Sequence, residues 1–190
     1  MKAKNKIIEI YRSYGYKLIP CKGACLDLTD IDSISPASDH TSLIKTNYAC
    51  MIDETFFVVI LRTSPTLMSS LVDSYNTLYT LSNVIVDLYE TDEKGDRIIY
   101  EKHLYFKAPA DTTRDRIKCY HALTPELIVL GQGNYVLGPS SQIDGKTYGF
   151  EEWVECADLE NLNRPTDEML LNFTSKEIKT LKSYNHYTKG

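Results

Sequence analysis

No apolar run in this chain approaches the roughly 20 residues a membrane-spanning helix needs, so a membrane partner is not expected. A basic excess is also missing. Lys and Arg number 21 against 26 Asp and Glu, a formal charge of −5, which argues against a protein that coats nucleic acid over its whole surface. Five cysteines (Cys21, Cys25, Cys50, Cys119, Cys156) supply no zinc framework, since Cys21 and Cys25 stand four apart and no second close pair answers them. Their odd number, with no signal-peptide pattern, suits free thiols in a reducing compartment, so a cytoplasmic protein is expected. The chain carries no G-x-S-x-G nucleophile elbow, no G-x-x-x-x-G-K-S/T phosphate loop and no H-E-x-x-H metal helix. Internal repeats and low-complexity segments are lacking too.

What is present is a folded composition. With 43% hydrophobic and 25% charged residues, 190 residues suffice for one good core, or two small lobes sharing one. Charge is unevenly spread. Through Lys22 the chain carries Lys2, Lys4, Lys6, Arg12, Lys17 and Lys22 against Glu9 alone, whereas Glu151–Glu168 is strongly acidic. The basic stretch reads equally as a solvated face or a binding one. Fourteen tyrosines could stack on bases, pack a partner or fill the core.

The pattern of elements points to an α+β protein. Residues 3–16 place Ile7, Ile8, Ile10, Tyr11 and Tyr14 on one side of a helix closed by Gly15. Tyr16–Pro20 reads as a strand halted by proline, and residues 22–46 as mostly loop with a short helix. Tyr48–Met51 and Phe56–Leu61 are strands turned at Asp53-Glu54, and FFVVIL has the unbroken apolar character of a central strand buried on both faces. Pro65–Leu78 reads as a crossover helix, capped by Ser64. Asn83–Glu90, the turn TDEKGD and Arg97–Lys107 make the clearest hairpin. A short helix is expected over Asp111–Ala122, strands over Ile128–Leu137 and Thr147–Phe150, and helices over Thr166–Phe173 and after Thr174-Ser175.

The segment His103–Tyr148 organises the rest. HLYFKAP opens it and GQGNYVLGPSSQIDGKTY closes it, two strands running into glycine or proline turns that bring loop backbone close to a ligand. Two readings stand side by side: hairpin strands with an inert His103, or the walls of a phosphate cleft.

The ordered set of segments resembles the N-terminal primase–polymerase domain of plasmid and viral bifunctional primase/polymerases, a branch of the archaeo-eukaryotic primase superfamily. The carriers are Tyr14–Pro20 after the first helix, the central apolar strand with its crossover helix, the histidine strand His103–Pro109, and Tyr135–Ser141 returning through Gly145–Tyr148. The resemblance covers about residues 7–155. It implies a mixed-sheet fold in which an N-terminal α/β part and an RRM-like part share one cleft. That domain would span residues 1–160, with a helical extension over 161–190. It also implies a role in replication, with single-stranded or primed DNA, a nucleotide or a replication protein as partner, in the host cytoplasm if viral.

This chain departs from the family's pattern at the chemistry. Nucleotidyl transfer needs carboxylates to hold divalent cations against the triphosphate, and the family takes two from the end of the central strand. Here that end reads VVILRTS, with Arg62 and Ser64 in their place, and arginine has donors but no acceptor for a metal. Glu126 is the remaining catalytic candidate near the third acid's position, and one acid cannot assemble the pair. Asp87, Glu90, Asp53 and Glu54 read as solvated, with Asp87 and Asp92 a metal pair only if their turn folds back. The family's glycine pair before the histidine is replaced by Glu101-Lys102. The expectation is therefore a degraded polymerase that needs no cofactor. Its phosphate contacts would be His103, Arg62, Lys107 and Ser141, with Arg62 gripping phosphate directly or pairing with Glu126. An active enzyme using Mg or Mn with relocated acids is the alternative. A protein-interaction module binding through its tyrosines and acidic segment is a third.

Overall fold

In the computed structural model of the chain, residues 2–26, 40–62, 78–108, 121–124, 127–151 and 156–165 are described. Two antiparallel sheets and a few helices make an α+β architecture. Helix α1 (Lys2–Ser13) turns Ile8 and Tyr11 fully into the core. It ends where Gly15 takes φ +84°, while Tyr14 and Gly15 donate back to Ile10 and Arg12, the left-handed exit glycine adopts without Cβ strain. Strand β1 (Leu18–Lys22) follows, then β2 (Cys25–Leu26), helix α2 (His40–Lys45) and β3 (Asn47–Met51). Pro20 does not halt β1, as the sequence suggested. Among the described residues β2 pairs only with Cys21 and Lys22, and none pairs with Pro20 on that edge, a setting proline tolerates.

Strand β4 (Phe56–Arg62) is central, paired with β6 (Arg97–Lys107) on one side and β8 (Leu127–Leu130) on the other. Its residues 56–61 are all buried. Val58 and Ile60 enter one core cluster, and Phe57, Val59 and Leu61 the other, so each face is worth roughly 1.5–3 kcal/mol per buried side chain. Strand β5 (Val84–Thr91) forms the expected hairpin with β6, but β6 then inserts between β5 and β4. The full order is β10-β11-β5-β6-β4-β8-β7, with β7 at His121–Thr124, β10 at Gln142–Ile143 and β11 at Lys146–Phe150. β4 and β5 run the same way but are not paired, and every adjacent pair among the described strands is antiparallel, not mixed as expected.

The smaller sheet, β2-β1-β3-β9 with β9 at Tyr135–Leu137, packs with α1 on one face of the larger. Residues 128–137 are therefore two strands in different sheets, parted by a turn at Gly131–Asn134 where Gly133 has φ +89°. Residues 138–141 then carry the chain from the smaller sheet to the larger. Gly138 N–H donates to Tyr48 O, Ser140 N–H donates to Tyr148 O, and Tyr148 N–H donates to Ser141 O. His121 and Ala122 belong to β7, where a helix was expected. The crossover helix was expected over Pro65–Leu78, of which residues 63–77 lie outside the described residues, and residues 78–81 are helical. The helices expected after residue 165 also lie outside them. Among the described tyrosines, Tyr11, Tyr48, Tyr105 and Tyr148 are fully buried in the core and the others are half-buried.

Candidate functional site

Two charged clusters occupy opposite faces of the large sheet, and both start from the residues standing where the glycine pair was expected. Along β6 successive side chains alternate in direction, so Glu101 and His103 face the smaller sheet while Lys102 faces away.

On the inner face, Arg62 and Glu101 are directly opposed across β4 and β6. Arg62 Nε donates to Glu101 Oε1 at 3.0 Å, and His103 Nε2 meets Glu101 Oε2 at 3.2 Å. Since an ionised carboxylate only accepts, Nε2 carries the proton in this contact. The three side chains are graded in depth, with exposures of 38% for Arg62, 18% for Glu101 and 0% for His103. Burial works to raise the Glu101 pKa, but the His103 hydrogen bond and charge, and then the Arg62 guanidinium, outweigh it and hold the carboxyl down at about 2. The His103 ring rests against Tyr148 at 5.3 Å between centroids. Its Nδ1 is buried without a hydrogen-bond partner among the described residues, which leaves a polar atom available inside the fold.

On the outer face, Lys102 Nζ donates to Glu151 Oε1 at 2.7 Å and Asp87 Oδ1 at 3.0 Å, and lies 5.2 Å from the Tyr79 ring centroid. Tyr79 O–H also donates to Glu151 Oε1 at 2.8 Å. Burial pushes the Asp87 carboxyl up, while the Lys102 ammonium pulls it down and only partly offsets this. For Lys102 burial works downward, but the hydrogen bond to Glu151 and the Asp87 carboxylate prevail, so its pKa is raised. Asp87 is therefore not solvated, as its charge had suggested, but 1% exposed beneath an ammonium. Nor does it pair with Asp92, whose Oδ1 accepts from the N–H groups of Lys94 and Asp96 and shapes the hairpin turn, about 16 Å along the strand.

Of the four expected phosphate contacts, the structure brings Arg62 and His103 together through Glu101. Lys107 points the same way as His103 but lies four residues on, about 13 Å, exposed at the edge of a cleft of about 710 Å³ that Tyr14, Tyr16, Asp53 and Thr55 also line. Ser141 is fully buried, and its hydroxyl accepts from Tyr48 N–H and donates to Tyr48 O, both at 3.2 Å. That hydroxyl is engaged in joining the two sheets. Glu126 lies outside the described residues. Among the described residues no group of three His, Cys, Asp or Glu could hold a metal ion, and no helix is long and apolar enough to cross a membrane.

The sequence reading missed Glu101 as the group joining Arg62 to His103. The signal was half present: its i, i+2 relation to His103 is legible, but its position opposite Arg62 depends on the β4–β6 register. Comparison with protein-family models and with curated proteins finds no match for the chain.

Proposed function

We propose that this chain is a primase–polymerase-like accessory protein in the replication of a plasmid or virus. In this reading it takes a nucleotide or nucleic-acid phosphate on the Arg62–His103 pair without a carboxylate-held metal pair. The observation that carries the reading is the convergence of guanidinium and imidazole on one carboxylate, Glu101. A carboxylate held between two N–H donors marks a place suited to an oxyanion. Phosphate offers more charge and more acceptor oxygens, so it takes the same donors once Glu101 turns aside, and Arg62 at the rim meets it first. Lys107, about 13 Å away, reaches a different phosphate from the one on His103.

The strand order β5-β6-β4-β8 supports the scaffold half of the reading. A strand inserted between two that run the same way is the split β-α-β arrangement, the order of an RRM-like unit. The partners that follow are a nucleotide, single-stranded or primed DNA, or a replication protein that presents them.

Calorimetric titration of a nucleoside triphosphate into the full chain tests this, once with Mg²⁺ and once with a chelator. Micromolar binding is expected in both, tightened by Glu101→Gln and weakened tenfold or more by Arg62→Ala, since hydrogen bonds to charged groups are worth about 1.5–3 kcal/mol. Binding in neither condition, or only with Mg²⁺, overturns the reading.

A further inference from the structure

A second cationic feature lies away from the Arg62–His103 pair. Three lysines from separate elements surround one recess of about 490 Å³: Lys4 on α1, Lys22 at the end of β1 and Lys45 at the end of α2. Thr46, Asn47, Ser140 and Gln142 complete its polar wall, and among the described residues none that lines it is acidic. In a chain of net charge −5, such a lining concentrates positive potential in one concavity. The basic bias of the first 22 residues thus has a spatial meaning that the sequence left open, because folding brings Lys45 beside Lys4 and Lys22.

The recess has a built frame. Asn47 Nδ2 donates to Gly23 O at 2.8 Å and to Gln142 O at 2.5 Å, and its Oδ1 accepts from Gln142 N–H at 2.8 Å. One side chain thereby ties the β1–β2 turn, the start of β3 and β10 together. Lys4 is held against the frame, donating to Thr46 O and lying 5.6 Å from the Tyr48 ring centroid. Lys22 and Lys45 are exposed at the rim.

We propose that this recess binds the phosphodiester backbone of a single nucleic-acid strand. The choice of nucleic acid rests on the reading above, but the site is separate from Arg62 and His103. A concave, lysine-lined surface suits a thin flexible polyanion. A duplex is instead read by an element that protrudes into its groove, and a bilayer presents a flat face that does not enter a recess. No aromatic ring lines the recess among the described residues, so recognition runs through phosphates and is indifferent to base sequence.

The test is fluorescence anisotropy of a labelled single-stranded DNA of about 12 nucleotides with the full chain. Three phosphate contacts on a single strand give a log–log salt slope of about −2, so affinity is expected to fall roughly 20-fold between 50 and 200 mM salt. Lys22→Gln with Lys45→Gln is expected to reduce the slope to about −0.7, with triphosphate titration unchanged. Lys22→Arg with Lys45→Arg keeps strand binding, and Lys45→Gln alone reads the same effect at about one contact if the double variant does not fold. Unchanged strand affinity in the Gln variants overturns the proposal. So does displacement of the strand by inorganic phosphate at equal phosphate concentration, or preference for duplex or for phosphatidylserine vesicles. Loss of triphosphate binding with strand binding intact removes only the Arg62–His103 reading, and the converse removes only this one.

Discussion

Replacing Lys102 by alanine gives the sharpest test of how the large sheet carries charge. The ammonium sits 3.0 Å from Asp87 and 2.7 Å from Glu151, and the three side chains are 10%, 1% and 15% exposed. Removing it leaves two carboxylates facing each other with little water, and breaking a buried pair in this way costs about 3–5 kcal/mol. For a chain of this size that is a fall in Tm of roughly 10 °C. Urea unfolding at pH 7 measures it, with an unchanged slope as the sign that only stability has moved. The pH dependence has a definite sign. Asp87 is already pushed up by burial and rises further without Lys102, so the folded variant binds a proton more readily than the unfolded chain. Its deficit relative to the parent therefore shrinks as pH falls from 7 towards 5. Lys102→Met combined with Asp87→Asn and Glu151→Gln removes the charges together and is expected to recover most of the loss. A cost below about 1 kcal/mol for Lys102→Ala, the range of exposed pairs, refutes the reasoning.

Glu101→Gln is expected to lower stability at neutral pH by about 3 kcal/mol, from a carboxyl held at about 2 against 4.5. Because the folded-state pKa is depressed, that contribution is present above pH about 4.5 and fades as pH falls through about 2; acid titration of the variant should lack this component. Gly138→Ala places a Cβ 2.1 Å from Tyr48 Cε2 and 2.4 Å from Cζ. The Tyr48 ring is fully buried with its O–H donating to Pro139 O at 2.8 Å, so it cannot retreat. A loss of about 2–3 kcal/mol, read by thermal melting, is expected.

The local elements were legible because their signals are local. Alternation and a glycine turn define the β5–β6 hairpin, and an unbroken apolar run marks β4 as buried on both faces. Pairing at a distance was not. Nothing in the periodicity states that β6 slots between β5 and β4, and without that register Glu101 reads as a neighbour of His103 alone. Asp87 was misread because a charged residue on an alternating strand suggests solvent. Yet its strand is flanked by β6 and β11 on both edges, and only a counter-ion from the next strand, Lys102, lets a carboxylate remain there. The apolar residues from Ile128 to Leu137 looked like one strand because hydrophobicity does not record that Gly133 redirects the chain into another sheet. For the site, Arg62 and His103 could be named from position. The engagement of Ser141 with Tyr48 could not, since it joins residues 93 apart.

The central place of β4 has a consequence for the nascent chain. Both of its neighbours are made later: its contact with β6 spans 39 residues at Arg62–Glu101, and β8 follows later still. At a synthesis rate of about 5–20 residues per second, FFVVIL waits roughly two to eight seconds before its first partner exists. During that interval it is an unpaired, strongly apolar β-former, the type of segment that seeds intermolecular pairing. Asp53 and Glu54 immediately before it and Arg62 at its end bracket it with charge, as gatekeeper residues do. The guanidinium that later meets Glu101 thus also guards the strand against self-association while the ribosome is still supplying its companions.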